Sequence, residues 1–78
     1  MSPRGMEQNE QMRAEAHAKI SAAALEVFAE YGYHGATMRQ IAKAAGLSGG
    51  LVYHYFPSKE KIFRRLVDFA LEGSLAGL

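Results

Sequence analysis

The stretch TMRQIAKAAGLSGGLVYHYFPSKE (Thr37–Glu60) decides how this chain folds. Its second half is ambiguous in isolation. Leu51 to Phe56 alternates enough apolar and aromatic side chains to pass for a buried strand, and the glycines before it weaken any regular element. The residues upstream resolve the ambiguity. Thr37 followed three positions later by Gln40 is a capping box, so a helix starts at Met38. Ile41, Ala42 and Ala45 form its inward stripe, and Gly46 ends it after Ala45. Only Gly46 and Leu47 then intervene before Ser48, which caps another helix. Two short helices joined by so tight a glycine-containing turn make a helix-turn-helix unit. Wound as a helix, the ambiguous stretch puts Val52 and Phe56 one turn apart on the core side. It turns Gly50, Tyr53 and His54 away from the core and leaves Tyr55 at its flank. Phe56 precedes Pro57, which pushes it out of helical geometry and stops the helix.

Working outward, residues from about Asn9 to Tyr31 favour a first helix. Ile20, Ala24, Val27, Phe28 and Tyr31 fall on one face, and Gly32 is a left-handed terminator. Residues 1–8 read as a flexible arm. On the other side, Ser58 caps a fourth helix whose first turn holds Lys59, Glu60 and Lys61. Its apolar residues, from Ile62 to Ala70, are too many for one narrow stripe, so part of that face needs a second partner. Gly73 and Gly77 weaken its end. The expected fold is all-α. A homeodomain-like three-helix domain occupies residues 9–57, with the helix-turn-helix at 37–56, and residues 58–78 begin a linking helix.

The composition agrees with one small globular domain: 78 residues, 49% hydrophobic and 22% charged. The absence of cysteine rules out disulfides and thiolate metal sites. No apolar run reaches membrane-spanning length and the first residues are too polar for a signal peptide, so the cytoplasm is the expected compartment. The formal net charge of +1 conceals a partition. Residues 31–65 carry Arg39, Lys43, Lys59, Lys61, Arg64 and Arg65 against Glu60 alone, whereas both flanks are net acidic. A basic middle between acidic ends suits a polyanionic partner, although a solvated charged surface gives the same pattern.

The longer run GYHGATMRQIAKAAGLSGGLVYHYFPSKEKIF closely resembles the amino-terminal DNA-binding domain of the tetracycline-repressor (TetR) family of bacterial regulators. The resemblance extends from about Ile20 to Leu71. It rests on Thr37-Met38-Arg39, on Gly46-Leu47-Ser48, and on Tyr53-His54-Tyr55-Phe56-Pro57-Ser58-Lys59-Glu60. It implies a DNA-facing set of Thr37, Met38, Arg39, Ser48, Gly49, Gly50, Leu51, Tyr53, His54, Tyr55 and Lys59. Gly49 and Gly50 stand at the amino-terminal end of the helix that would enter the major groove. Lacking side chains, they either let the backbone approach DNA or avoid a clash with the preceding helix. Family members often carry a polar or basic residue where this chain has Gly49, so base reading from that position is weakened. Tyr53 and His54 are expected to meet DNA. Tyr55 is expected mainly to pack. Arg39 is the candidate for forked contact with guanine, or else for a phosphate. Thr37 and Lys59 mark helix starts whose free amides suit phosphate, with Lys59 adding a point charge. Lys61, Arg64 and Arg65 contribute a general field.

The resemblance further implies a repressor that binds a palindromic operator as a homodimer. A small effector would release it by binding a carboxy-terminal domain that these residues do not include. The chain alone is then expected to be monomeric or weakly associating. Catalysis, cofactors and metals find no support: His17, His34 and His54 lack ligand spacing, and no nucleophile motif or phosphate loop is present. The competing reading is a small helical protein-interaction module that uses the surplus apolar face of the fourth helix.

Overall fold

A computed structural model describes the backbone of residues 3–76 and the side chains of residues 10–72. It contains four helices, α1 (Pro3–Gly35), α2 (Met38–Ala45), α3 (Gly49–Tyr55) and α4 (Lys59–Ala76). No strand occurs among the described residues, so Leu51–Phe56 is settled as helical.

The local signals act as their chemistry dictates. The Thr37 side chain accepts from the Gln40 amide at 3.1 Å, and the Thr37 amide donates to Gln40 Oε1 at 2.9 Å, completing the capping box. Gly46 closes α2 in the left-handed region (φ 72, ψ 28). The Leu47 amide donates to Ala42 O at 3.0 Å and the Gly46 amide to Lys43 O at 3.1 Å, the paired closure of a Schellman motif. Ser48 Oγ then accepts from the Leu51 amide at 3.1 Å to begin α3. Phe56, at φ −134 and ψ 111, ends it in extended geometry before Pro57.

Four boundaries or placements differ from expectation. The helical backbone of α1 starts at Pro3, inside the stretch read as an arm. Proline is tolerated in a first helical turn, and the residues after it include good helix formers. Gly32 breaks α1 as expected, but with φ 77 and ψ 164 it lies outside the left-handed helical region, in territory open essentially to glycine. A further turn, Tyr33 to Gly35, follows it and closes through the Ala36 amide on Gly32 O at 3.0 Å. Tyr31, placed on the core face by periodicity, is 51% exposed, because that break redirects the chain beside it. Finally, α4 continues through Gly73 to Ala76, since an isolated glycine costs a helix only about 1 kcal/mol against alanine. Gly77 lies outside the described residues.

The core joins all four helices. Ile20, Ala23, Ala24 and Val27 of α1 meet Ile41 and Ala42 of α2, Val52 of α3, Phe56 and Ile62 of α4. Ile20, Ile41, Val52 and Ile62 are fully buried. Burying each such side chain contributes roughly 1.5–3 kcal/mol. Phe28, Met38, Ala45, Leu47, Tyr55 and Leu66 pack around this centre. Alanines at Ala23, Ala24 and Ala42 carry little side-chain bulk where α1 and α2 pack together. α2 is thereby held on α1 and α3 on α2, support that helices of eight and seven residues require.

Candidate nucleic-acid interface

The buried Val52 and Phe56 fix the rotation of α3, and that rotation decides which side chains are free. Leu51, Tyr53 and His54 are exposed, Tyr53 at 55%. Gly49 and Gly50, at the helix start, are also exposed. A β-carbon added to either glycine would meet nothing within 4 Å. The alternative that these glycines avoid a clash with α2 is therefore wrong, and protein packing does not explain them. Ser48 is exposed and spends its hydroxyl on the cap.

Arg39 stands exposed in the first turn of α2, beside the cap. The capping box satisfies the Gln40 amide, and the Ile41 amide donates to Thr37 O. The start of α2 thus leaves the Met38 and Arg39 amides for an outside acceptor. Met38 itself is half-buried and packs on the core, so its side chain belongs to the fold and only its amide to the open helix end.

Tyr55 is half-buried, as its flanking position predicts. Its ring meets His54 at 5.0 Å and His17 at 5.2 Å, both edge-on. His17 also lies 4.8 Å from the Phe56 ring. The sequence did not single out this histidine for packing. Its position three residues before Ile20, on the buried stripe, was the available signal. Burial and the nearby Arg65 and Arg13 guanidinium groups hold its pKa below the usual 6.5. His17 is thus a neutral strut between α1 and the end of α3, and it has no companion ligands: no cluster of metal-binding side chains occurs among the described residues.

Lys59 departs most from expectation. Its ammonium donates to Tyr33 O at 2.7 Å, Ala36 O at 3.0 Å and His34 O at 3.3 Å, and it lies 4.7 Å from the centre of the Tyr33 ring. An ammonium has three protons, and all three have acceptors inside the protein. The side chain expected to present a point charge to phosphate is turned inward. Lys43, Lys61, Arg64 and Arg65 are exposed, with Arg64 4.0 Å from Asp68 across one turn.

Two short helices crossing behind a tight turn, with the second showing its polar and aromatic face, define a helix-turn-helix domain. The sequence profile of bacterial regulatory proteins of the tetR family matches residues 20–66. The chain belongs to that family and carries its amino-terminal DNA-binding type of domain. It is similar to the HTH-type transcriptional regulatory protein RaaS of Mycobacterium tuberculosis, with 47% identity over 57 residues, covering 73% of this chain and 26% of that one. The HTH-type transcriptional repressor AcnR of Corynebacterium efficiens is 46% identical over 48 residues, 62% of this chain and 26% of that one. The HTH-type transcriptional regulator UidR of Escherichia coli is 40% identical over 58 residues, 74% of this chain and 30% of that one. The chain thus spans between a quarter and a third of the relatives it matches. No solved structure matches it. Among the described residues, no helix is long and apolar enough to cross a membrane.

Proposed function

We propose that this chain is the operator-reading part of a transcriptional repressor and that α3 enters the major groove by its amino-terminal end. The observation that carries the reading is the outward set Gly49, Gly50, Leu51, Tyr53 and His54, held over buried Val52 and Phe56 and standing beside exposed Arg39. Tyr53 and His54 donate to phosphates. Arg39 reads a guanine edge by a forked contact. The open amides at the start of α2, next to Thr37, receive a phosphate, which sets orientation without reading sequence. The glycines bring the α3 backbone close to the groove wall.

In the whole regulator, two copies bind a palindromic operator in the bacterial cytoplasm, and an effector bound elsewhere in the protein releases it. The repressor AcnR among the relatives supports the sign of regulation. No catalytic role enters this reading. A mobility shift against random and selected duplexes across a salt series tests it. Affinity that falls steeply with salt, and selects a recurring half-site from a random pool, is the expected result. The rival, a protein-interaction module, draws on exposed Val67, Phe69 and Leu71 of α4. It predicts no salt-dependent association with any duplex.

A further inference from the structure

We propose that Leu51 is a specificity-determining residue that reads thymine by its 5-methyl group, so that the first turn of α3 selects an apolar group in the major groove and not a hydrogen-bonding base edge. The inference rests on the DNA-binding reading of α2 and α3. Among the described residues of α2 and α3, Leu51 is the only exposed aliphatic side chain larger than alanine. It does not pack on the hydrophobic core, which Val52, next along the chain, enters fully buried. Its two predecessors in α3, Gly49 and Gly50, have no side chains and open space around them. The hydroxyl of Ser48 is taken up by the Leu51 amide at 3.1 Å. The opening turn of α3 therefore presents one side chain to an outside partner, and that side chain has no hydrogen-bonding group.

The chemistry of the groove identifies what such a side chain selects. Base pairs display donors and acceptors in the major groove, and the methyl of thymine is the one apolar group among them. Leucine pressed against a donor or acceptor strips it of water and returns no hydrogen bond, which is unfavourable. Against a methyl, both surfaces leave water and the contact is favourable. Leu51 thus discriminates in both directions, toward thymine and away from the other edges. The bare glycines before it let the helix start approach closely enough for so short a contact. Arg39, exposed in the first turn of α2, supplies hydrogen-bonded readout separately.

The test uses a duplex selected from a random pool by the wild-type chain. Replacing its thymines one at a time by deoxyuridine removes a methyl and nothing else. One thymine in each half-site should respond, with a loss of about fourfold in affinity, the fold-change that corresponds to burying a single methyl group. At the same position 5-methylcytosine should bind better than cytosine by a similar factor. For Leu51→Ala, checked by circular dichroism for unaltered helicity, thymine and deoxyuridine duplexes should bind alike, so that the protein and DNA changes together cost no more than the protein change alone. The deoxyuridine series on the wild-type chain requires no variant to fold. Salt-dependent binding that no deoxyuridine weakens would overturn the proposal and leave the DNA reading standing. A deoxyuridine loss that persists undiminished in Leu51→Ala would overturn it as well, by assigning the methyl to another side chain such as Tyr53. If the wild-type chain binds no duplex with salt dependence, the DNA reading fails and the role of Leu51 with it.

Discussion

At the scale of single residues, exposure separates function from fold. Tyr53 and His54 are exposed and lie outside the buried core, so the double substitution Tyr53→Ala with His54→Ala should weaken DNA binding and leave the thermal melt nearly unchanged. Loss of the cooperative melt would place them in the core instead. Arg39→Ala should relax selection at one base position, costing on the order of 1–3 kcal/mol there. An equal loss on every duplex would make Arg39 a phosphate contact. His17 makes a prediction about pH. Its pKa is lowered in the folded chain, mainly by burial and then by Arg65 and Arg13. The unfolded chain therefore binds the proton first. The stability that depends on neutral His17 is complete above the ordinary value of 6.5 and declines as pH falls through the folded value. Denaturant midpoints of wild type and His17→Gln should converge in relative stability as the pH drops. Parallel midpoints from pH 7.5 to pH 5 would contradict the strut.

At the scale of elements, caps and glycines set where each helix begins and ends. Capping box, Schellman closure and the Phe56–Pro57 stop all lie within the quoted run, so α2 and α3 were legible residue by residue. The end of α1 was less so. Gly32 announces a break, but not the extra turn to Gly35, whose Tyr33 carbonyl accepts from Lys59, 26 residues away. Gly50 yields a prediction in which two effects oppose each other. It lies in α3 with open space around a hypothetical β-carbon, so Gly50→Ala should stabilise the fold by up to about 1 kcal/mol. DNA affinity should fall in the same variant, because the added methyl group separates backbone and groove wall. A higher melting temperature with unaltered affinity would show that the helix start does not approach DNA closely.

The whole molecule is governed by surfaces that the four helices leave uncovered. Leu25 of α1 and Leu66 and Phe69 of α4 border one groove of ≈ 750 Å³, together with Arg13, His17 and Arg65. Phe69 is 71% exposed and Leu71 59% exposed. The apolar surplus anticipated for α4 is therefore present, and it lies apart from the outward face of α3. In sedimentation the chain should be monomeric or weakly associating. The slope of log affinity on log salt for one copy should be about −0.9 for each phosphate that a side-chain cation neutralises. Fusion to an unrelated dimeriser should roughly double that slope and restore affinity, provided the linker spans half-sites about 34–36 Å apart. A tight dimer of the unfused chain, with affinity unaltered by fusion, would show that α4 completes an interface without help.

Local chemistry was enough to establish the helix-turn-helix. A threonine three residues before a glutamine, a glycine after an apolar stripe, and a proline after an aromatic each act on backbone groups within a few positions. Their outcome does not depend on what lies across the fold. The burial of Val52 and the exposure of Tyr53 and His54 followed from helical rotation once the element type was known. Lys59, Met38, His17 and Tyr31 were different. A lysine at a helix start looks the same in sequence whether its ammonium meets phosphate or three carbonyls, because the carbonyls are brought to it by a glycine break far along the chain. Met38, His17 and Tyr31 each lie near the boundary of an apolar stripe, where a small change in helix direction decides between core and solvent. Those decisions belong to the packing of α1 against α2 and α4, since only contacts between distant segments fix which side of the boundary a side chain occupies.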